Sequence, residues 1–155
     1  MTGRIYATGP DLGAWHCLLS PDAPAPDGCV ELAPGIYAGR GAGQERDGFL
    51  WLPGDSTVIP HWLTHGLVPD PLAEALRRFE ARLQQLAPAL SDELSPLDVA
   101  AIRGLVVHEW RRLLLRCPDL PDHLFGENNP IAPCRALVGQ TLARLGPVAL
   151  ADLAP

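Results

Sequence analysis

Positive charge is scarce in this chain. Its 155 residues carry 12 Lys and Arg against 18 Asp and Glu, a formal net charge of -6, so the broad cationic footprint of a nucleic-acid-binding domain is missing. Long apolar runs are missing as well. No stretch approaches the roughly 20 apolar residues that cross a bilayer, and the opening MTGRIYATGP has no apolar core of a signal peptide. The expectation is a cytoplasmic protein with no membrane partner and no direct grip on nucleic acid.

Paired cysteines are also lacking. Cys17, Cys29, Cys117 and Cys134 stand singly, which leaves a zinc ribbon or a dithiol redox motif without its spacing. Free, buried thiols are expected. His61 and His65 have the i,i+4 spacing of a zinc pair, but HWLTH lacks the glutamate of the H-E-x-x-H motif and no third ligand is evident, so no metal is expected. There is no G-x-S-x-G elbow. Neither ATGPDLG at 7–13 nor GRGAG at 39–43 is a phosphate loop or dinucleotide fingerprint, so no cofactor is expected either.

What is present is globular composition: 47% apolar and 19% charged residues, with 17 Pro and 15 Gly concentrated toward the front. The length suits one compact domain or two small ones. AWHCLL (14–19), CVELAPGIYA (29–38) and FLWLP (49–53) read as three short strands, separated by the loops SPDAPAPDG and RGAGQERDG. A sheet that small needs cover.

Cover comes from the second half. Asp70 as cap and Pro71 at the first position open a helix whose Leu72, Leu76, Phe79, Leu83 and Leu86 recur at steps of three and four, ending near Ala87-Pro88. Ser95, Pro96 and Asp98 open a second helix that runs to about Arg116. Val99, Ile102, Val106, Trp110 and Leu113 form its apolar row, widened by Ala101, Leu105 and Leu114, so that most of it should be buried. A third helix is expected from about Pro133, or from Pro130 with Asn129 as cap, to Leu145, with Gly146-Pro147 as the stop.

The one dense polar cluster is HEWRR at 108–112. On a helix His108 and Glu109 point about 100° apart, which disfavours a catalytic dyad, whereas Glu109 and Arg112 at i,i+3 can pair. Arg111, Arg112 and Arg116 sit in the last turns, where cations meet the negative end of the helix dipole. Glu109 and Arg116 are therefore given a structural role, and no catalytic residue is assigned. Trp15, Trp51, Trp62 and Trp110 are either core wedges or the wall of an aromatic pocket.

The segment VVHEWRRLLLRCPDLPDHLF at 106–125 resembles the most recognisable stretch of the PaaX family, bacterial repressors of phenylacetic acid degradation. In the same order, RIYATGP at 4–10 followed by Trp15 resembles the exit from that family's DNA-binding domain, and ELAPGIYAG at 31–39 resembles a strand segment of its central domain. The resemblance implies a winged helix, a central ferredoxin-like domain similar to Cas2, and a helical C-terminal domain, with phenylacetyl-CoA releasing the repressor from DNA. Here the winged helix is expected to be absent, and SPDAPAPDG stands where the family has an arginine-rich helix. Cys117 replaces a usual Asp, and ENNPI at 127–131 replaces a Trp-Pro-Gly-like turn.

The expected fold is therefore α+β, with a small, reduced ferredoxin-like (Cas2-like), β-rich part at 1–66 packed on a helical domain at 67–155. The expected function is the effector-sensing and dimerising module of a PaaX-like transcriptional regulator, a homodimer or a heterodimer with a PaaX-like protein. An aryl-CoA thioester would meet cations from Arg103, His108, Arg111 and Arg112 and an apolar slot from Trp110 or Trp62. The alternatives are an interaction protein that serves only as a dimerisation partner and an acyl-CoA-processing enzyme.

Overall fold

The computed structural model describes residues 12–56, 60, 62, 66–90, 94–126 and 129–147. His61, His65 and the 4–10 segment lie outside them. The described residues divide into two compact units, one of residues 12–69 with Cys117–Asn129, the other of residues 70–116 and 130–147. The fold is α+β: a four-stranded antiparallel sheet followed by three long helices.

In the sheet unit, strands β1 (Trp15–Leu19), β2 (Cys29–Ala33), β3 (Ile36–Arg40) and β4 (Leu50–Pro53) lie in the order β2-β3-β1-β4. Every neighbouring pair is antiparallel. This is the strand order of the ferredoxin-like split βαβ unit, with loops at 20–28 and 41–49 in place of both crossover helices. Pro21, Pro24 and Pro26 deny the first loop a helix interior. The sheet is thus the reduced form expected from SPDAPAPDG standing where the family has a helix.

The expected single strand at 29–38 is instead a hairpin, which makes four strands rather than three. Ala33 pairs with Ile36, leaving Pro34-Gly35 as a two-residue turn. Pro fixes the first turn position and Gly35 takes φ 75, the combination that a type II turn demands. The strand reading passed over that dipeptide because its neighbours, Ala33 and Ile36, continue the apolar run.

Trp15 through Leu18 are all buried although alternate residues face opposite sides of the sheet, so β1 is covered on both faces. Tyr37 donates its hydroxyl to Ala23 O at 2.7 Å and meets Phe49 edge-on at 6.1 Å. Segment Cys117–Asn129 is part of this unit: Arg40 Nε donates to Asp119 Oδ1 at 2.7 Å, and Leu120, Leu124 and Phe125 are buried.

In the helical unit, α1 (Asp70–Leu86) buries Leu72, Leu76, Phe79 and Leu83, the stripe its periodicity predicts. Helix α2 (Pro96–Leu114) starts as expected, with Ser95 Oγ accepting from the Asp98 backbone N–H at 3.1 Å and donating to Asp98 Oδ2 at 2.7 Å. Replacing Ser95 with alanine should cost about 1 kcal/mol of stability, measurable as a lowered urea midpoint with unchanged slope. A midpoint equal to the parent's would show that the cap carries nothing.

Trp110 has 0% exposure and stacks on Phe79 at 6.4 Å with rings 10° apart. The expectation that most of α2 is buried fails in its first half, where Leu97 and Leu105 are 69% and 71% exposed. Leu97, Ala101 and Leu105 lie at steps of four on a row rotated about 100° from Val106 and Trp110. Helical period identifies both apolar rows but does not say which one meets a neighbour.

Helix α3 (Ile131–Leu145) begins after Pro130 with no side-chain cap, because the Asn129 amide instead donates to Asp122 O at 3.1 Å. Two arginines tie helix ends together. Arg103 donates to the carbonyls of Leu142 and Gly146, and Arg144 donates to Ala87 O and Leu90 O, both at 2.8 Å. Each donates to backbone carbonyls at or just past the end of a helix, where intrahelical donors run out. Cys134 Sγ donates to Leu76 O at 3.2 Å, and all four cysteines are free thiols.

Candidate effector site

The last two turns of α2 hold the cluster. A helix turns about 100° per residue, so burying Trp110 and Leu113 swings His108, Arg111 and Arg112 outward, and all three are exposed, as is Arg116. Arg112 closes a fork on Glu109: Nε donates to Oε2 at 2.9 Å and Nη2 donates to Oε1 at 2.6 Å. This is the i,i+3 pair that the spacing predicts.

The Arg112 hydrogen bonds hold the Glu109 carboxyl below its ordinary pKa of 4.5, with the positive charges of Arg82 and His108 adding to the effect. Arg112 is correspondingly raised by Glu109. Arg82 belongs to α1, and on the sequence it is only one of several charges on a solvated face. Its place beside Glu109 depends on how two helices pack, which no local spacing reveals.

The sign of the pH effect follows from the lowered pKa. Glu109 contributes stability that is fully present above pH 4.5 and is lost as pH falls through its depressed folded value. The pair is solvent-screened, so the contribution is small. In Glu109→Gln the acid limb of the melting curve should be flatter than in the parent, whereas an identical acid limb would show the pair to be energetically silent.

The other residues of the expected site sit elsewhere. Trp110 lies beneath the polar face as core, Arg103 is engaged at the end of α3, and Trp62, 67% exposed, belongs to the sheet unit. Among the described residues no group of His, Cys, Asp and Glu is arranged to hold a metal ion. No helix among them is long and apolar enough to cross a membrane.

These features define an α+β protein whose helical unit displays a guanidinium-rich face over a buried aromatic pair. Residues 69–153, which span all three helices, match the model of the PaaX-like protein C-terminal domain. The chain belongs to the PaaX family, whose members are transcriptional regulators. No curated protein sequence matches it.

Proposed function

We propose that this chain is the effector-reading and dimerising module of a PaaX-like regulator, that its effector is an aryl-CoA thioester such as phenylacetyl-CoA, and that DNA contact is left to a winged helix outside these 155 residues. The observation that carries the reading is the exposed His108, Arg111 and Arg112 face inside the family's own domain. Its cations suit the anionic phosphates of a CoA thioester. Trp110 underlies that face as buried core, and the net charge of -6 favours leaving DNA to another domain.

Calorimetric titration with phenylacetyl-CoA tests the reading, with free CoA and phenylacetate as controls. Saturable heat from the thioester alone, with affinity about tenfold weaker in Arg112→Ala, is the expected result, since loss of one charged contact is worth on the order of 1.4 kcal/mol. Absence of heat at high micromolar concentration would contradict it.

A second reading, association alone, is favoured by the exposed Leu97, Ala101 and Leu105 row on α2. An apolar stripe facing water is the kind of surface that a copy of the chain or a PaaX-like partner would cover. Leu105→Glu should then convert a dimer to a monomer in sedimentation velocity, and an unchanged sedimentation coefficient would count against that stripe.

A further inference from the structure

A second cluster lies in the sheet unit, where none of the functional reading above reaches. Strand register places His16 opposite Gly39, and Gly39 opposite Cys29. The three residues thus form one row across β1, β3 and β2, with side chains on the same face of the sheet. The middle position has no side chain, and that gap lets the imidazole reach across a whole strand. A Cβ at Gly39 would stand 2.5 Å from His16 Cε1 and 2.9 Å from Cys29 Sγ.

A second glycine clears the opposite side of the ring. A Cβ on Gly43 would come within 2.6 Å of three imidazole atoms, so the ring lies in a slot lined by backbone. His16 is only 7% exposed, and its Nδ1 is 3.0 Å from Gly41 O. A carbonyl can only accept, so Nδ1 carries the proton and donates it. In the neutral ring Nε2 is then a free base, and it faces Cys29 Sγ at 4.0 Å.

The arrangement is a thiol, a base aimed at it, and a third group that fixes the tautomer of the base, the layout of an activated sulfur nucleophile. Burial raises the Cys29 pKa while Arg46 pulls it the other way, so the sulfur keeps its proton at neutral pH until His16 takes it. Both residues line an open cavity of about 400 Å³, whose wall also includes Arg40, Arg46, Asp27 and Glu45. Charges of both signs on that wall suit a small ligand that also carries both.

From this geometry we infer that Cys29, with His16 as its base, is a site of reversible S-thiolation by small zwitterionic disulfides. In the reaction the Cys29 Sγ proton passes to His16 Nε2 as Sγ attacks one sulfur of R–S–S–R. The Sγ–S bond forms and the S–S bond breaks. The leaving sulfur departs as thiolate and takes the proton back from Nε2, so that Cys29 sulfur is oxidised and one ligand sulfur reduced. The other three cysteines are buried, which shields them from a dissolved disulfide.

Oxidised glutathione, which carries both signs of charge, is the probe. The native full-length chain is incubated with it at neutral pH, the modified cysteine is located by peptide mass mapping, and the rate per thiol is compared with that of the same chain unfolded in urea. The inference expects modification confined to Cys29, at least about tenfold faster than in the unfolded chain, a floor set below the roughly hundredfold or more that a positioned general base supplies. Gly39→Ala, which forces the ring and the sulfur apart while keeping both, should lose most of that acceleration, and Cys29→Ser should abolish modification. A native Cys29 that reacts no faster than the unfolded chain, or modification at another cysteine first, would overturn it, and neither comparison depends on whether His16 variants fold.

Discussion

Replacing Trp110 with alanine should remove about 3–5 kcal/mol of stability, the range for truncating a fully buried indole. The side chain has no exposed surface and its stacking on Phe79 ties α1 to α2. Deletion therefore leaves a void between the two helices. Against a domain stability of roughly 5–15 kcal/mol, such a loss removes from about a fifth to all of the folding free energy. Urea titration followed by far-ultraviolet circular dichroism measures it. The matched control is Leu105→Ala on the same helix, which is 71% exposed and should change stability by no more than about 0.5 kcal/mol. Equal effects of the two substitutions would mean that α2 presents a different face to its neighbours than the one described.

The second large effect is expected at Gly35. Its φ of 75 is a left-handed conformation that costs a residue with a Cβ roughly 1–2 kcal/mol. The added methyl would also stand 2.6 Å from Ser20 O and 3.3 Å from the Pro21 Cα. These are backbone atoms, held in part by the Ser20 N–H bond to Gly35 O at 2.9 Å, so they cannot swing away as a side-chain tip would. Displacing them adds roughly 1–3 kcal/mol, the usual penalty for overpacking. Gly35→Ala should therefore lower the thermal midpoint of the sheet unit strongly, whereas Gly28→Ala, also at positive φ but with open space around the new methyl, bears the backbone cost alone. Equal losses from the two would show that the approach of Ser20 to the turn is not what requires glycine at position 35.

The helices were largely legible because their signals are local. Ser95, Pro96 and Asp98 mark the start of α2, and Leu72 through Leu83 repeat with the period of α1, so residues within four positions of each other carry the information. The start of α3 is less legible for the opposite reason: the amide of Asn129, the alternative cap, is drawn to the carbonyl of Asp122, seven residues back, and α3 starts uncapped. The strands were less legible. Pro34-Gly35 is a turn signal two residues long inside an apolar run, and the extended reading overrode it.

Sites built across elements were the least legible. The Glu109 and Arg112 pair sits within one turn and follows from spacing, but Arg82 joins it only through the packing of α1 on α2. His16 and Cys29 are 13 residues apart and meet only through β3, in a register no periodicity specifies. The sole sequence signal was the glycine-rich GRGAG that follows Ala38, and it reads as a loop rather than as the two walls of a slot for an imidazole. HEWRR stands out from the residues alone as the one dense polar cluster; what the family adds is context, since the match over 69–153 places those residues inside the family's domain.

The central claim is that the outward face of the last turns of α2 reads an aryl-CoA. Its most direct test is a two-dimensional amide NMR titration of the chain with phenylacetyl-CoA. The account predicts saturable shifts concentrated at residues 108–116 and the adjoining part of α1 near Arg82, with free phenylacetate producing none. A spectrum that does not change, or shifts confined to residues 15–53 of the sheet, would contradict it.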